Sequence, residues 1–385
     1  MAMKRMKFYW IIVALMLALP MMGQGWMKTY GGVGDQGDFQ FAVPQNDGGA
    51  LILSGKYKSI YGTAHLFKLD ETGGLIYAKE LETGGIDVGI TDFKILQNGD
   101  CLILCNSELY QNKDEIHLIK IDPSGEILWF KSYNIDIENK DFSESVSIDI
   151  DGNILITGTA NWGNGFILKT NSEGDLIWSK ILFESELLVN HVIDVKILED
   201  SSYILFGITI DSNSAAATIW IGKTSNDGNL LWETFLNNPF QGITPRTVIK
   251  SIENGYLIVG NISGDPALSF CIKIDDNGNE LWRRIWNIDS SWNRIWDISH
   301  SIDGNYFLLG HIFRSNNDWD ILLIKVDENG NEYWLKIFGT SEREAGFALF
   351  QNPDASLFLF GTAERDSTGL DVLFIKTDAD GNIFS

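Results

Sequence analysis

Short apolar runs closing on a small residue recur along the whole chain: LILSG, LILC, ILITG, ILFG, LIVG, FLLG and FLFG. Each is followed by a second strand-like run that ends in Lys, with Asp, Asn or Ser two positions on and Gly five positions on. The copies read FKLDETGGLIY, IKIDPSGEILW, LKTNSEGDLIW, GKTSNDGNLLW, IKIDDNGNELW, IKVDENGNEYW and IKTDADGNIFS. Their lysines are Lys68, Lys120, Lys169, Lys223, Lys273, Lys325 and Lys376, at intervals of 52, 49, 54, 50, 52 and 51 residues. A period near 50 with several short strands per unit predicts an architecture in which each repeat buries its faces against its neighbours.

The turn residues divide each unit. An Asx side chain opens the second turn by accepting from backbone ahead of it, and Gly supplies positive φ where the chain reverses. Both flanks are β-branched or aromatic, as in ILLIKVD and EYWLKIF. An earlier turn precedes each apolar run, at residues 46–49, 97–100, 151–153, 253–255 and 303–305, with worn versions at Glu199-Asp200-Ser201 and Pro353-Asp354-Ala355. Four antiparallel strands, A to D, therefore emerge per repeat, the size of a propeller blade. The earlier turn joins A to B and the DxxG turn joins C to D.

The chain ends favour a closed ring over an open solenoid, which would need polar caps. The last repeat stops at GNIFS before its strand D, and Trp26-Met27-Lys28-Thr29-Tyr30 matches the missing strand. The expected fold is all-β: a seven-bladed β-propeller of four-stranded blades, closed by the N-terminal strand, which removes an exposed sheet edge. No Pro-rich, Ser-rich or charge-run linker divides it, so residues 26–385 are expected to form one propeller.

Residues 1–25 read as a signal peptide. Lys4, Arg5 and Lys7 form a basic start, Phe8 to Leu19 an apolar core, and Pro20, Gly23 and Gly25 a cleavage region. The run from Phe8 to Met22 is shorter than the roughly 20 residues a spanning helix needs. Export to the periplasm, cell surface or exterior follows, with no membrane attachment after cleavage. Losing the three basic residues takes the formal charge from −23 to −26. A surface this acidic repels nucleic acid and anionic membrane. A monomer is expected.

Candidate chemistry is sparse. Cys101 and Cys105 lie on one strand, separated by roughly 13 Å at about 3.3 Å per residue, beyond disulfide reach. Cys105 takes the place of Gly in the other repeats, and Cys271 lies in a distant blade, so three free thiols are expected. His65 and His117 stand where other repeats have Phe, Trp or Leu, which packing explains, and no metal or other cofactor is expected. DDNGNE (275–280) and DADGN (378–382) lack the spaced oxygen donors of a calcium loop. The recurrent Trp129, Trp178, Trp232, Trp282 and Trp334 suit the widening gap between blades.

The repeated xIKxDxxGNxxWxKxYGG unit resembles that of exported bacterial and archaeal β-propeller repeat proteins over the whole chain, most closely at Trp26-Met27-Lys28-Thr29-Tyr30-Gly31-Gly32. Its DxxGxxxW core also resembles the repeat of pyrroloquinoline quinone (PQQ) propellers. That resemblance implies fold more than activity, since those dehydrogenases are typically longer, with eight blades, and many carry a vicinal Cys pair lacking here. The turn is similar to the Asp-box of sialidase-type propellers, but the aromatic falls four residues after Gly instead of three (Gly125 to Trp129).

Function is expected on the face bearing the longer B–C and D–A loops. The candidate ligand-binding residues are Trp162, Trp292, Arg314 and Trp319, whose indoles are suited to stack on sugar rings or anchor a protein. Trp292 is placed in the D–A loop entering the sixth blade and Trp319 in that blade's B–C loop. The favoured reading is a non-catalytic binding or scaffold module for a protein, glycan or surface polymer. The alternatives are a glycan-active enzyme, which needs two carboxylates facing across a cleft, and a PQQ-dependent oxidoreductase. No residue is assigned a catalytic role.

Overall fold

The computed structural model describes residues 25–30, 39–45, 47–55, 64–81, 88–109, 113–135, 140–161, 163–182, 188–211, 214, 216–236, 242–314, 318–364 and 369–383. The signal-peptide reading and Trp162 lie outside them. The described residues form seven four-stranded antiparallel sheets, each with its strands in simple order except the last. That sheet takes its fourth strand from the N-terminus: Trp26–Tyr30 pairs with Leu370–Thr377, Trp26 opposite Lys376 and Tyr30 opposite Val372. The fold is a seven-bladed β-propeller closed by its first strand.

Strands B and C are buried on both faces, which is why their sequences are continuous apolar runs. Ala50–Gly55, Ile154–Ala160 and Tyr256–Ile262 have no exposed residue, and Cys101, Cys105 and Cys271 are buried free thiols among them. Strand D is mostly exposed, but in all six C–D pairs within blades one to six an extra residue shifts its register before the aromatic. The bulge re-aims the strand. It sends the aromatic toward the turn glycine of the following blade. Gly330 has φ +73°, and a Cβ there would come within 2.7 Å of Trp282. Gly73, at φ +69°, lies under Trp26 in the same way, so the closing strand supplies this aromatic contact to the first blade.

The repeated lysine of strand C reaches back to the acid of its own A–B turn. The pairs are Lys68–Asp47 at 3.0 Å, Lys120–Asp100 at 3.3 Å, Lys169–Asp149 at 2.9 Å, Lys223–Asp200 at 3.0 Å, Lys325–Asp303 at 2.6 Å and Lys376–Asp354 at 3.7 Å. The fifth blade departs from this: Lys273 binds Ser251 and Glu328, the latter from the sixth blade's C–D turn.

Candidate functional site

The seven inner strands converge on the ring axis. In blades two to seven the A–B pairing carries one extra residue in strand A: Thr91, Glu144, Ile193, Arg246, Trp296 and Phe347. The first blade has no such shift. Because bulges turn a side chain out of the strand's alternation, these residues project into the axial channel. They line a cavity of about 360 Å³ together with Phe41 and His191. Its lining includes His191 and Thr244, near the starts of their strands, so it lies toward the D–A and B–C loops.

The floor is built from residues at one register position, each following the extra residue in strand A of blades two to seven: Asp92, Ser145, Asp194, Thr247, Asp297 and Ala348. Its three carboxylates stand on alternate blades and tie each to the next. Asp92 accepts from the Val146 N–H at 2.9 Å, Asp194 from Val248 at 3.3 Å and Asp297 from Leu349 at 2.8 Å. Each also accepts from the N–H of the residue after it. Ser145 bridges Asp92 and Asp194, at 3.1 and 3.2 Å.

Lys94 holds Asp92 at 3.0 Å and Lys196 holds Asp194 at 2.8 Å, each two residues along the same strand face. Burial opposes the charge of Lys94, but Asp92, Asp194 and Asp297 together raise its pKa. At the third position Ser299 replaces lysine. Burial then pushes the Asp297 carboxyl up to about 6, against the pull of the Leu349 and Ile298 N–H groups and of Lys94 and Lys196.

One wall is a row of stacked groups from three blades. The Arg246 guanidinium lies 4.2 Å from the Trp296 ring centroid, and Trp296 meets Phe347 edge-on at 5.6 Å. Behind them His311 is buried, with neither ring nitrogen hydrogen-bonded among the described residues. Burial, reinforced by Arg294 and Arg246, pushes its pKa down to about 3, so it is neutral. Across the cavity, His191 is fixed by a 2.7 Å hydrogen bond between Nδ1 and Thr159 Oγ1. The arrangement offers flat aromatic faces, a guanidinium, an imidazole and carboxylates to one small ligand or chain end.

The residues singled out in the sequence lie elsewhere. Trp292 does lie ahead of strand A of blade six, 38% exposed, with Nε1–H donating to Asp265 at 3.0 Å. Trp319 is within strand C (Asp318–Val326), not the B–C loop, because its pairing with Phe313 extends the ladder past it. Its ring packs on His311 at 4.5 Å and Phe313 at 5.5 Å. The Arg314 guanidinium is held by Asp320 at 2.7 Å. The backbone brings Trp292 and Trp319 to one end of the blade, since Trp292 C=O accepts from Phe313 N–H at 2.7 Å. Among the described residues no ring contact joins the two indoles.

Sequence reasoning missed the axial residues, although a signal was present. Thr-Asp-Phe-Lys (91–94), Ile-Asp-Val-Lys (193–196) and Trp-Asp-Ile-Ser (296–299) recur in every second repeat. Among the described residues no cluster of three metal-ligating side chains occurs, and no helix is long and apolar enough to cross a membrane.

Comparison with known proteins supports the architecture. No family model matches the chain. No curated protein matches it in sequence. Among solved structures it is similar to a PL25 polysaccharide lyase, an ulvan lyase bound to -[GlcA(1-4)Rha3S]-, with 10% identity and TM-score 0.62 over 90% of this chain and 95% of that one. It is also similar to the BP39L lectin from Burkholderia pseudomallei, with 10% identity and TM-score 0.55 over 90% and 98%. Drosophila Semaphorin 2a aligns with 9% identity and TM-score 0.52 over 92% and 75%. At these identities the likeness is one of fold alone.

Proposed function

We propose that this protein is an exported, non-catalytic binding propeller that takes a glycan at the loop-side mouth of its axial channel. The observation that carries the reading is the Arg246–Trp296–Phe347 row, an aromatic wall with a hydrogen-bonding cation, facing His191 and Glu144 across one cavity. Flat apolar faces beside a few convergent polar groups suit a sugar, whose ring has an apolar face and a polar rim. The ulvan lyase carries an oligosaccharide and BP39L is a lectin, so propellers of this general shape accommodate such ligands. Trp292, at the same end of the ring, is a further contact for an extended chain; Trp162 and the Arg314–Trp319 pair belong to the same proposal.

A glycan array probed with the intact mature protein tests this. Binding is expected to a restricted set of glycans and to fall about tenfold or more in Trp296→Ala and in Arg246→Ala, as removal of a central aromatic or Arg anchor does. Equal binding by wild type and both variants would overturn the axial assignment.

His191 and Glu144 sharing the cavity favour a second reading, a glycan-active enzyme. Release of new reducing ends or unsaturated products from a bound polysaccharide, abolished in His191→Ala, would replace the binding reading. The blade unit's resemblance to PQQ propellers supports a third, an oxidoreductase, which predicts dye reduction on adding PQQ and calcium.

A further inference from the structure

The axial floor repeats one device and leaves it incomplete once. Blades two, four and six each present Asp toward the axis, with the residue two positions later on the same strand face. In blades two and four that residue is a lysine whose ammonium neutralises the carboxylate. In blade six it is Ser299, whose hydroxyl is turned to the His300 carbonyl at 3.4 Å. Each Asp297 oxygen accepts one backbone N–H and keeps a lone pair. Among the described residues no cation pairs with it. The cavity-lining charges are Asp92, Lys94, Glu144, Asp194, Arg246 and Asp297. With Lys196 on Asp194, they sum to −1.

We propose that the ligand supplies the missing cation: the axial site binds a sugar bearing a free primary amine, whose ammonium takes the place beside Asp297 that lysine holds beside Asp92 and Asp194. The aromatic faces of Trp296 and Phe347, from the same blade and the next, hold the ring from which that ammonium projects. An ammonium at this point neutralises the residual charge of the cavity and meets an acceptor already fixed by two backbone hydrogen bonds. A neutral or N-acetylated sugar makes the same stacking contacts without the ion pair. This inference rests on the axial glycan reading and narrows it to one class of sugar.

Calorimetric titration of the intact mature protein at pH 7 separates the two claims. The probes are a short glucosamine oligomer, its N-acetylated counterpart and a lysine peptide of equal charge. The glucosamine oligomer is expected to bind about tenfold more tightly than the acetylated one, the ratio a charge-assisted hydrogen bond gives. Ser299→Lys rebuilds the lysine of the other two blades. It should abolish that preference while leaving binding of the acetylated oligomer unchanged. Asp297→Asn should likewise abolish the preference for the amine, and Ser299→Lys keeps the test decisive if that variant folds poorly. Equal affinity for the two oligomers, or a preference that survives Ser299→Lys, overturns the amine assignment and leaves the glycan reading standing. Tighter binding of the lysine peptide also overturns it, in favour of a protein partner. No binding of either oligomer overturns it as well.

Discussion

The axial carboxylates show how one residue changes the energetics of a repeated device. Asp297 titrates near 6, above the 3.8 of a free carboxyl, because burial is not offset by a paired lysine. The folded state therefore holds its proton more tightly than the unfolded state does. Stability falls as pH rises from about 4 to about 6, and above that the ionised group is a net cost. Asp297→Asn, whose single oxygen accepts from only one of the two backbone N–H groups, should flatten that stretch of the urea-stability profile. An unchanged profile would show that ligand-free protein neutralises Asp297 in another way. Lys169 and Asp149 are the opposite case. Burial raises Asp149, but Lys169 and Asn153 outweigh it and hold the carboxyl below its ordinary value, so this contribution is present above pH 3.8 and lost only in stronger acid. Lys169→Met should cost about 3 kcal/mol at pH 7 by leaving Asp149 buried without its partner. The repeated lysine was legible in the sequence as a signature. Its partner was not, because it lies a whole strand pair upstream and only the fold puts the two turns side by side.

At the scale of the element, the closing strand is the exposed edge of blade seven and the source of Trp26. Deleting residues through Tyr30 removes five paired residues, the Trp26 contacts with Phe358 and Phe374, and the aromatic that covers Gly73. The deletion is expected to lower the thermal midpoint by well over the roughly 4 °C of a single core defect; an unaltered midpoint would contradict closure. Gly330→Ala tests the aromatic contact between blades separately. It meets both a positive φ and the Trp282 ring, so a loss of about 2 kcal/mol is expected in denaturant melts. The turns, strands and closing segment were legible because Asx, Gly and apolar alternation act within a few residues of one another. The D-strand bulge was not, although its effect was visible as an aromatic four residues after Gly.

For the molecule as a whole, the three cysteines are buried free thiols, and burial pushes Cys101 up to about 12 and Cys105 and Cys271 higher still, which keeps the reactive thiolate scarce. Thiol titration of denatured, unreduced protein should find three groups; finding one would mean that two cysteines meet. The sequence by itself determined blade number, strand order, the closing strand and the absence of a disulfide framework, because each follows from local turn chemistry or from spacing along a strand. Only the tertiary structure decided where the axial cavity lies and what lines it. Phe41, Glu144, His191, Arg246, Trp296 and Phe347 come from six different blades, and nothing local marks them as neighbours. Closing the ring brings their strands to one axis, and the bulges then turn most of their side chains inward. Packing between blades engages Trp292 with the preceding blade, and pairing of strands B and C within blade six engages Arg314 with Asp320 and Trp319 with His311, so residues that look free in a loop-side sequence become parts of the frame around the channel.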